Sequence, residues 1–155
     1  MKAVIREAKW ADVADECEAL GARHHPEATE GREGKFAFNR ELMAALDGAG
    51  YLRVFVADLD GVLVGYCIWT KGAGLEVRTA RVMDMGPFYA VPEVAGLCLG
   101  RKMLAHCRDV FRLEGYDTLS LHHTVHGRGA RAGALYRLMG AAEYERKYLL
   151  DLAGV

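Results

Sequence analysis

The segment Phe88-Tyr-Ala-Val-Pro-Glu-Val-Ala-Gly-Leu-Cys-Leu-Gly-Arg-Lys-Met-Leu104 runs together the features of a strand, a tight turn and the start of an amphipathic helix. A turn of this kind directs backbone N–H groups outward at the positive end of a helix dipole, which is where a pyrophosphate is held. Gly96 and Gly100 let a ligand approach the main chain, and Arg101 and Lys102 add positive charge beside it. The same residues also describe an ordinary strand-to-helix junction, so their meaning depends on the surrounding elements.

Two other groups of residues invite chemistry and are set aside. Gly127-Arg-Gly-Ala-Arg-Ala132 matches G-x-G-x-x-A, the dinucleotide-binding fingerprint. That fold needs further parallel strands after the helix, whereas 15 residues of the sequence follow Gly140. His24, His25, His122, His123 and His126 suggest a metal. In a strand, His122 and His123 point to opposite faces, and no cysteine or carboxylate stands at ligand spacing, so no metal is expected.

With 155 residues, 52% of them hydrophobic, one domain with a proper core is expected over 1–155. The 20 basic and 21 acidic residues nearly cancel, which argues against nucleic acid or an acidic membrane as the main partner. Cys17, Cys67, Cys98 and Cys107 lie in apolar-periodic stretches with no C-x-x-C pair and read as reduced, buried thiols. No signal-peptide core or membrane-length apolar run is present, so the expected compartment is the cytoplasm.

The elements that must position the turn follow from periodicity. Residues 2–7 form a short strand. Trp10, Val13, Cys17 and Leu20 then share one helical face, closed by Gly21 and the His24-His25-Pro26 break. Glu27 to Lys35 reads as a loop, and Phe36 and Phe38 line either a substrate mouth or the core, Phe38 more naturally the core. Asn39 is an N-cap, with Phe38 and Met43 placed as a staple, for a helix reaching about Leu46. From Tyr51 the pattern alternates, Asp60-Gly61 marks a hairpin turn, and Val62 to Thr70 runs back.

After a loop through Gly72 and Gly74, a longer strand spans about Thr79 to Val91, and Gly86-Pro87 within it predicts a bulge. Leu99, Met103, Cys107, Val110 and Phe111 make the next helical stripe, stopped at Gly115. Thr118–His123 is a strand, Ala130–Met139 a helix closed by Gly140, and Glu143–Leu152 a last strand region. The order β-α-α-β-β-β-α-β-α-β implies an α/β (α+β) fold with a mixed, mostly antiparallel sheet and helices on both faces.

That order, together with two segments, resembles the GNAT acetyltransferases over nearly the whole chain. The family pattern Arg/Gln-x-x-Gly-x-Gly/Ala falls on Ala95-Gly96-Leu97-Cys98-Leu99-Gly100, after a Val-Pro-Glu lead-in. Ala134-Leu-Tyr-Arg-Leu-Met-Gly140 is similar to the Leu-Tyr-x-x-x-Gly signature, with Tyr148–Leu152 as the strand expected after it. Ala95 stands where the family has arginine or glutamine, Cys98 where it has its first glycine, and Gly129 near where an asparagine often precedes the second signature. The Phe-Tyr-x-x-Pro-Glu lead-in and a Leu-His-His also resemble a subset common in bacterial and phage genomes.

The resemblance implies acetyl-coenzyme A as cosubstrate, no metal, and a small-molecule or peptide amine as acceptor, with a homodimer allowed. Gly96, Leu97, Cys98, Leu99, Gly100 and Arg101 would hold its pyrophosphate, while a bulge opens a gap in which pantetheine pairs with backbone at Tyr89, Ala90 and Val91. An amide near Val91 would stabilise oxyanion charge, and Tyr136 would protonate the leaving thiolate. Arg128, Arg131 and Arg137 would meet the 3′-phosphate or an acidic partner, or form a solvated helix face. For the base, Asp84 comes first, acting through water, with His122 and His24 behind it. A protein of this fold that binds acyl-coenzyme A or a partner without turnover is the alternative.

Overall fold

The computed structural model describes residues 3–29, 36–73, 80–124 and 129–145. Five strands, β1 (Val4–Ala8), β2 (Leu52–Leu59), β3 (Val62–Ala73), β4 (Arg81–Ala90) and β5 (Thr118–Ser120), form one sheet in that order. The first three pairings are antiparallel and β4–β5 is parallel, which makes the sheet mixed and mostly antiparallel as the element order implied. The last strand region, from Arg146 on, and the Gly74 loop lie outside the described residues.

Among the described residues the helices are α1 (Trp10–Thr29), α2 (Arg40–Gly48), α3 (Leu99–Leu113) and α4 (Gly129–Leu138), with a 3-10 turn over Pro92–Leu97 ahead of α3. Alternation along β3 separates the layers. Gly65 and Trp69 face Met103 and Phe111 of α3, whereas Tyr66 faces His24 of α1 and Phe38 before α2. Trp10, Trp69, Tyr66, Phe55 and Phe111 are the largest fully buried side chains and fill the two layers.

Local signals explain most boundaries. The Asp60-Gly61 turn has positive φ at both residues, 51° and 82°, the backbone a two-residue hairpin needs. Asn39 accepts from the Leu42 amide at 3.1 Å and starts α2. Gly115, with φ 79°, closes α3.

Three expectations need correction. The first helix does not stop at Gly21 but continues through Pro26 to Thr29. Proline removes one intrahelical bond near the helix end, and long-range packing outweighs that loss: His24 stacks on Tyr89, and the Phe36 ring lies where a Cβ on Gly21 would stand. β3 runs on to Ala73, so Gly72 is strand rather than loop. β5 ends at Ser120 instead of His123, because its partner bends away at the bulge described next.

Candidate active site

β3 pairs Cys67 with Phe88 and Trp69 with Met85, so Gly86 and Pro87 together oppose the single residue Ile68. This two-against-one count is a β-bulge, at the position the Gly-Pro pair predicted. On the other edge, β4 pairs with β5 only through Val82–Thr118, Met83–Leu119 and Asp84–Ser120. Beyond Asp84, no described residue pairs with that edge of β4. The two strands diverge there.

The Val91 amide donates to Val64 O at 2.9 Å. An antiparallel ladder alternates direction residue by residue, so Tyr89 turns its backbone groups toward β3 as well, and those of Phe88 and Ala90 face the open edge. Of the three residues expected to pair with a ligand strand, Ala90 therefore presents its backbone, and Phe88 joins it. Tyr89 contributes its ring to the opposite sheet face, and the Val91 N–H is already used.

Past β4 the chain makes its 3-10 turn and enters α3 through Cys98, which adopts the left-handed conformation with φ 50° and ψ 37°. The residue occupies a glycine-type backbone without being glycine. Its thiol is exposed, unlike those of Cys17, Cys67 and Cys107, so the expectation of four buried cysteines fails at the position whose backbone must face outward. The first amides of α3 have no intrahelical acceptor, and its first turn carries no acidic residue. Gly96 has open space where a Cβ would stand, whereas a Cβ on Gly100 would press on the Phe88 ring and approach Leu135 of α4. The start of α3, the open part of β4 and α4 therefore converge, with exposed Arg101 and Lys102 beside them.

Tyr136 on α4 is almost fully buried, and its hydroxyl donates to His122 O at 3.1 Å. The phenol thus sits by the segment that leaves β5 at the divergence. Burial pushes its pKa above the ordinary phenol value, with a smaller contribution in the same direction from Cys67. Asp84 lies on the paired side of the bulge, its carboxylate over Gly72 of β3. His123 packs its ring 5.9 Å from that of Tyr136.

A second cluster occupies the α1 face. His24 stacks on Tyr89 with ring centroids 4.7 Å apart at 15°, and its Nδ1 lies 2.9 Å from the Tyr66 hydroxyl. Nothing in the sequence brings these residues together; only the continuation of α1 past Gly21 does. Phe36 and Phe38 pack edge to face at 4.8 Å; Phe38 is packed against the core beside Tyr66, whereas Phe36 lies half-buried against His25. Arg131 and Arg137 are exposed on α4, and Arg128 and His126 lie outside the described residues. Among the described residues no group of three His, Cys, Asp or Glu is placed to hold a metal, and no helix is long and apolar enough to cross a membrane. A hollow of about 160 Å³, lined by Arg108, Arg112 and Tyr116 among others, lies at the opposite end of α3 from the diverging strands.

The family model for the GNAT acetyltransferases matches residues 14–141, a span that includes the bulged strand, the α3 turn and Tyr136. The chain belongs to the acetyltransferase (GNAT) family. No curated protein matches it. Among solved structures, this GNAT chain is similar to a ribosomal-protein-alanine N-acetyltransferase from Brucella melitensis biovar Abortus 2308, at 18% identity and TM-score 0.75 over 98% of this chain and 100% of that one. An aminoglycoside acetyltransferase from an uncultured soil metagenomic sample aligns at 14% identity and TM-score 0.76, covering 98% and 99% of the two chains. A predicted acetyltransferase with acetyl-CoA from Clostridium acetobutylicum aligns at 16% and TM-score 0.74, covering 99% of each. At such identities the likeness establishes the GNAT fold.

Proposed function

We propose that this GNAT protein is an N-acetyltransferase that moves an acetyl group from acetyl-coenzyme A to a primary amine by direct attack, with Tyr136 as general acid. The observation that carries the reading is the coincidence of three features: an open β4 edge beyond the bulge, an outward-facing helix start on one side of it, and a buried phenol on the other. Acetyl-coenzyme A supplies an activated carbonyl on a thiol leaving group.

The amides from Gly96 to Gly100 and the side chains of Arg101 and Lys102 are suited to its pyrophosphate. Phe88 and Ala90 offer their backbone as a strand edge for the pantetheine amides. The Ala90 N–H takes over the oxyanion role first expected near Val91, whose amide is held by Val64. Tyr136 keeps its proton at neutral pH because burial disfavours the phenolate, and it gives that proton to the departing sulfur. Cys98 adopts a glycine-type left-handed backbone in spite of its side chain, so the replacement of glycine there leaves the turn its backbone shape.

The acceptor is a small-molecule or peptide amine, in keeping with the near-balance of 20 basic and 21 acidic residues. Three buried, unpaired thiols accord with a cytoplasmic setting. The test is thiol release from acetyl-coenzyme A with an aminoglycoside, an alanine-starting peptide, polyamines and amino acids. Amine-dependent release is expected, alongside a rise in melting temperature on adding acetyl-coenzyme A. A thermal rise with no release for any amine would favour the non-catalytic reading.

A further inference from the structure

We infer that Asp84, flanked by Thr70 and Ser120, holds a second ammonium group of the acceptor, so that the acceptor carries two ammonium groups a short chain apart. The inference rests on the acetyltransferase reading above and names its substrate class. Asp84 pairs with Thr70 on β3 and with Ser120 on β5, and side chains at paired positions share a face. The three therefore form one row across β3, β4 and β5. By alternation the row lies on the same side of the sheet as Tyr66, opposite to buried Met83 and Met85. Asp84–Ser120 is also the last pair before β4 and β5 part, so the row stands at the apex of the cleft.

In the acetyltransferase reading the cofactor enters at the wide end of that cleft, where α3 starts, and its sulfur stops at Tyr136. The Tyr136 hydroxyl bonds His122 O, and His122 is two residues past Ser120. Two residues of chain span at most roughly 7 Å. What is left for the acceptor is the narrow end, with the Asp84 row at its foot. An amine at the thioester and a cation at the apex are then separated by a length that about four methylenes bridge.

The carboxylate itself calls for a cation. Asp84 is half-buried and leans over Gly72, where an added Cβ would collide with its Oδ2. Among the described residues it forms no hydrogen bond or ion pair. The cations nearest to the row in sequence are committed elsewhere: Lys71 lies over the Tyr51 ring, 5.6 Å from its centre, and Arg81 donates to Glu114 O at 2.6 Å. A carboxylate partly withdrawn from water without a counter-charge is stabilised by a cation that arrives with the ligand. Hydroxyls on either side can accept the remaining N–H groups of the same ammonium.

The test compares putrescine with n-butylamine, which has the same carbon chain and a single amine, at saturating acetyl-coenzyme A. The kcat/KM values should favour putrescine by ~10- to 100-fold, the range of a hydrogen bond to a charged group. Asp84→Asn should bring that ratio close to one, and Ser120→Ala should lower it by a smaller factor. Because a ratio is read, a loss of stability common to both amines drops out. Equal loss with both amines in Asp84→Asn would place Asp84 in the chemistry and overturn the proposal, as would a ratio near one in the parent. A peptide beginning with lysine offers the same pair of charges; a higher kcat/KM for it than for putrescine, again dependent on Asp84, would keep the subsite and assign it to a peptide. Binding is read separately: putrescine should raise the melting temperature of the coenzyme A complex more than n-butylamine does, and Asp84→Asn should erase the difference. If the parent acetylates no amine, that difference decides: its presence keeps the subsite while the transferase reading falls, and its absence overturns the subsite as well.

Discussion

At Tyr136 a single oxygen separates the proposed acid from an inert ring. Tyr136→Phe keeps the buried aromatic and loses the bond to His122 O, so cofactor affinity should hold while turnover drops ~10²- to 10⁴-fold. Thermal shift and thiol release measured on the same preparation separate the two; unchanged turnover would take Tyr136 out of the mechanism. Cys98 poses the opposite problem, since its backbone asks for a residue without a Cβ. A left-handed L-residue costs roughly 1–2 kcal/mol, part of which glycine returns through the greater freedom of its unfolded chain. Cys98→Gly should therefore raise the melting temperature by about 1–3 °C, the response of a chain this size to several tenths of a kcal/mol. A lower melting temperature would show that the thiol makes a stabilising contact outweighing the strain.

The element that matters most is the junction of β4 with α3, where a bend in one strand and the start of one helix act as a unit. Because α3 begins with unpaired amides and no acidic residue in its first turn, a negative charge placed there opposes an incoming pyrophosphate. Leu97→Asp should leave the fold intact and abolish the rise in melting temperature caused by acetyl-coenzyme A; a rise of undiminished size would mean the pyrophosphate lies elsewhere. Much of this junction was legible in the residues alone. Gly86-Pro87 foretold the bulge, and Gly-bearing turn chemistry foretold the helix start, because both depend on local backbone preference. What stayed hidden was set by distant partners. Whether Ala90 or Val91 faces the open edge depends on which residue of β3 lies opposite, and α1 outruns its own stop signals because Tyr89 and Phe36 lie beneath it.

On the scale of the whole molecule, α3 has to be held in register with the sheet, and at the end of α3 away from the bulge one arginine ties the two together. Arg53 of β2 bonds both oxygens of Glu7 on β1 and both oxygens of Glu114 at the end of α3, the latter at 2.7 and 2.9 Å, while its guanidinium lies 5.3 Å from the Phe111 ring centre. Arg81 adds a second tie, donating to Glu114 O at 2.6 Å. The bond from Arg53 holds the Glu114 carboxyl below its ordinary range, against a smaller opposing effect of burial. A carboxyl whose pKa is lowered on folding contributes stability above its unfolded value, near 4.3, and loses that contribution as pH falls through the folded value. Glu114→Gln should thus lower the melting temperature at pH 7 by about 2–4 °C, corresponding to the ~1 kcal/mol at the upper end for exposed ion pairs. As the pH is taken from 5 to 3 the gap between variant and parent should close, since the parent then loses the same charge. A gap that stays constant across that range would mean the Glu114 side chain acts through packing, and that the tie between α3 and the sheet is carried by the Arg81 bond to its backbone.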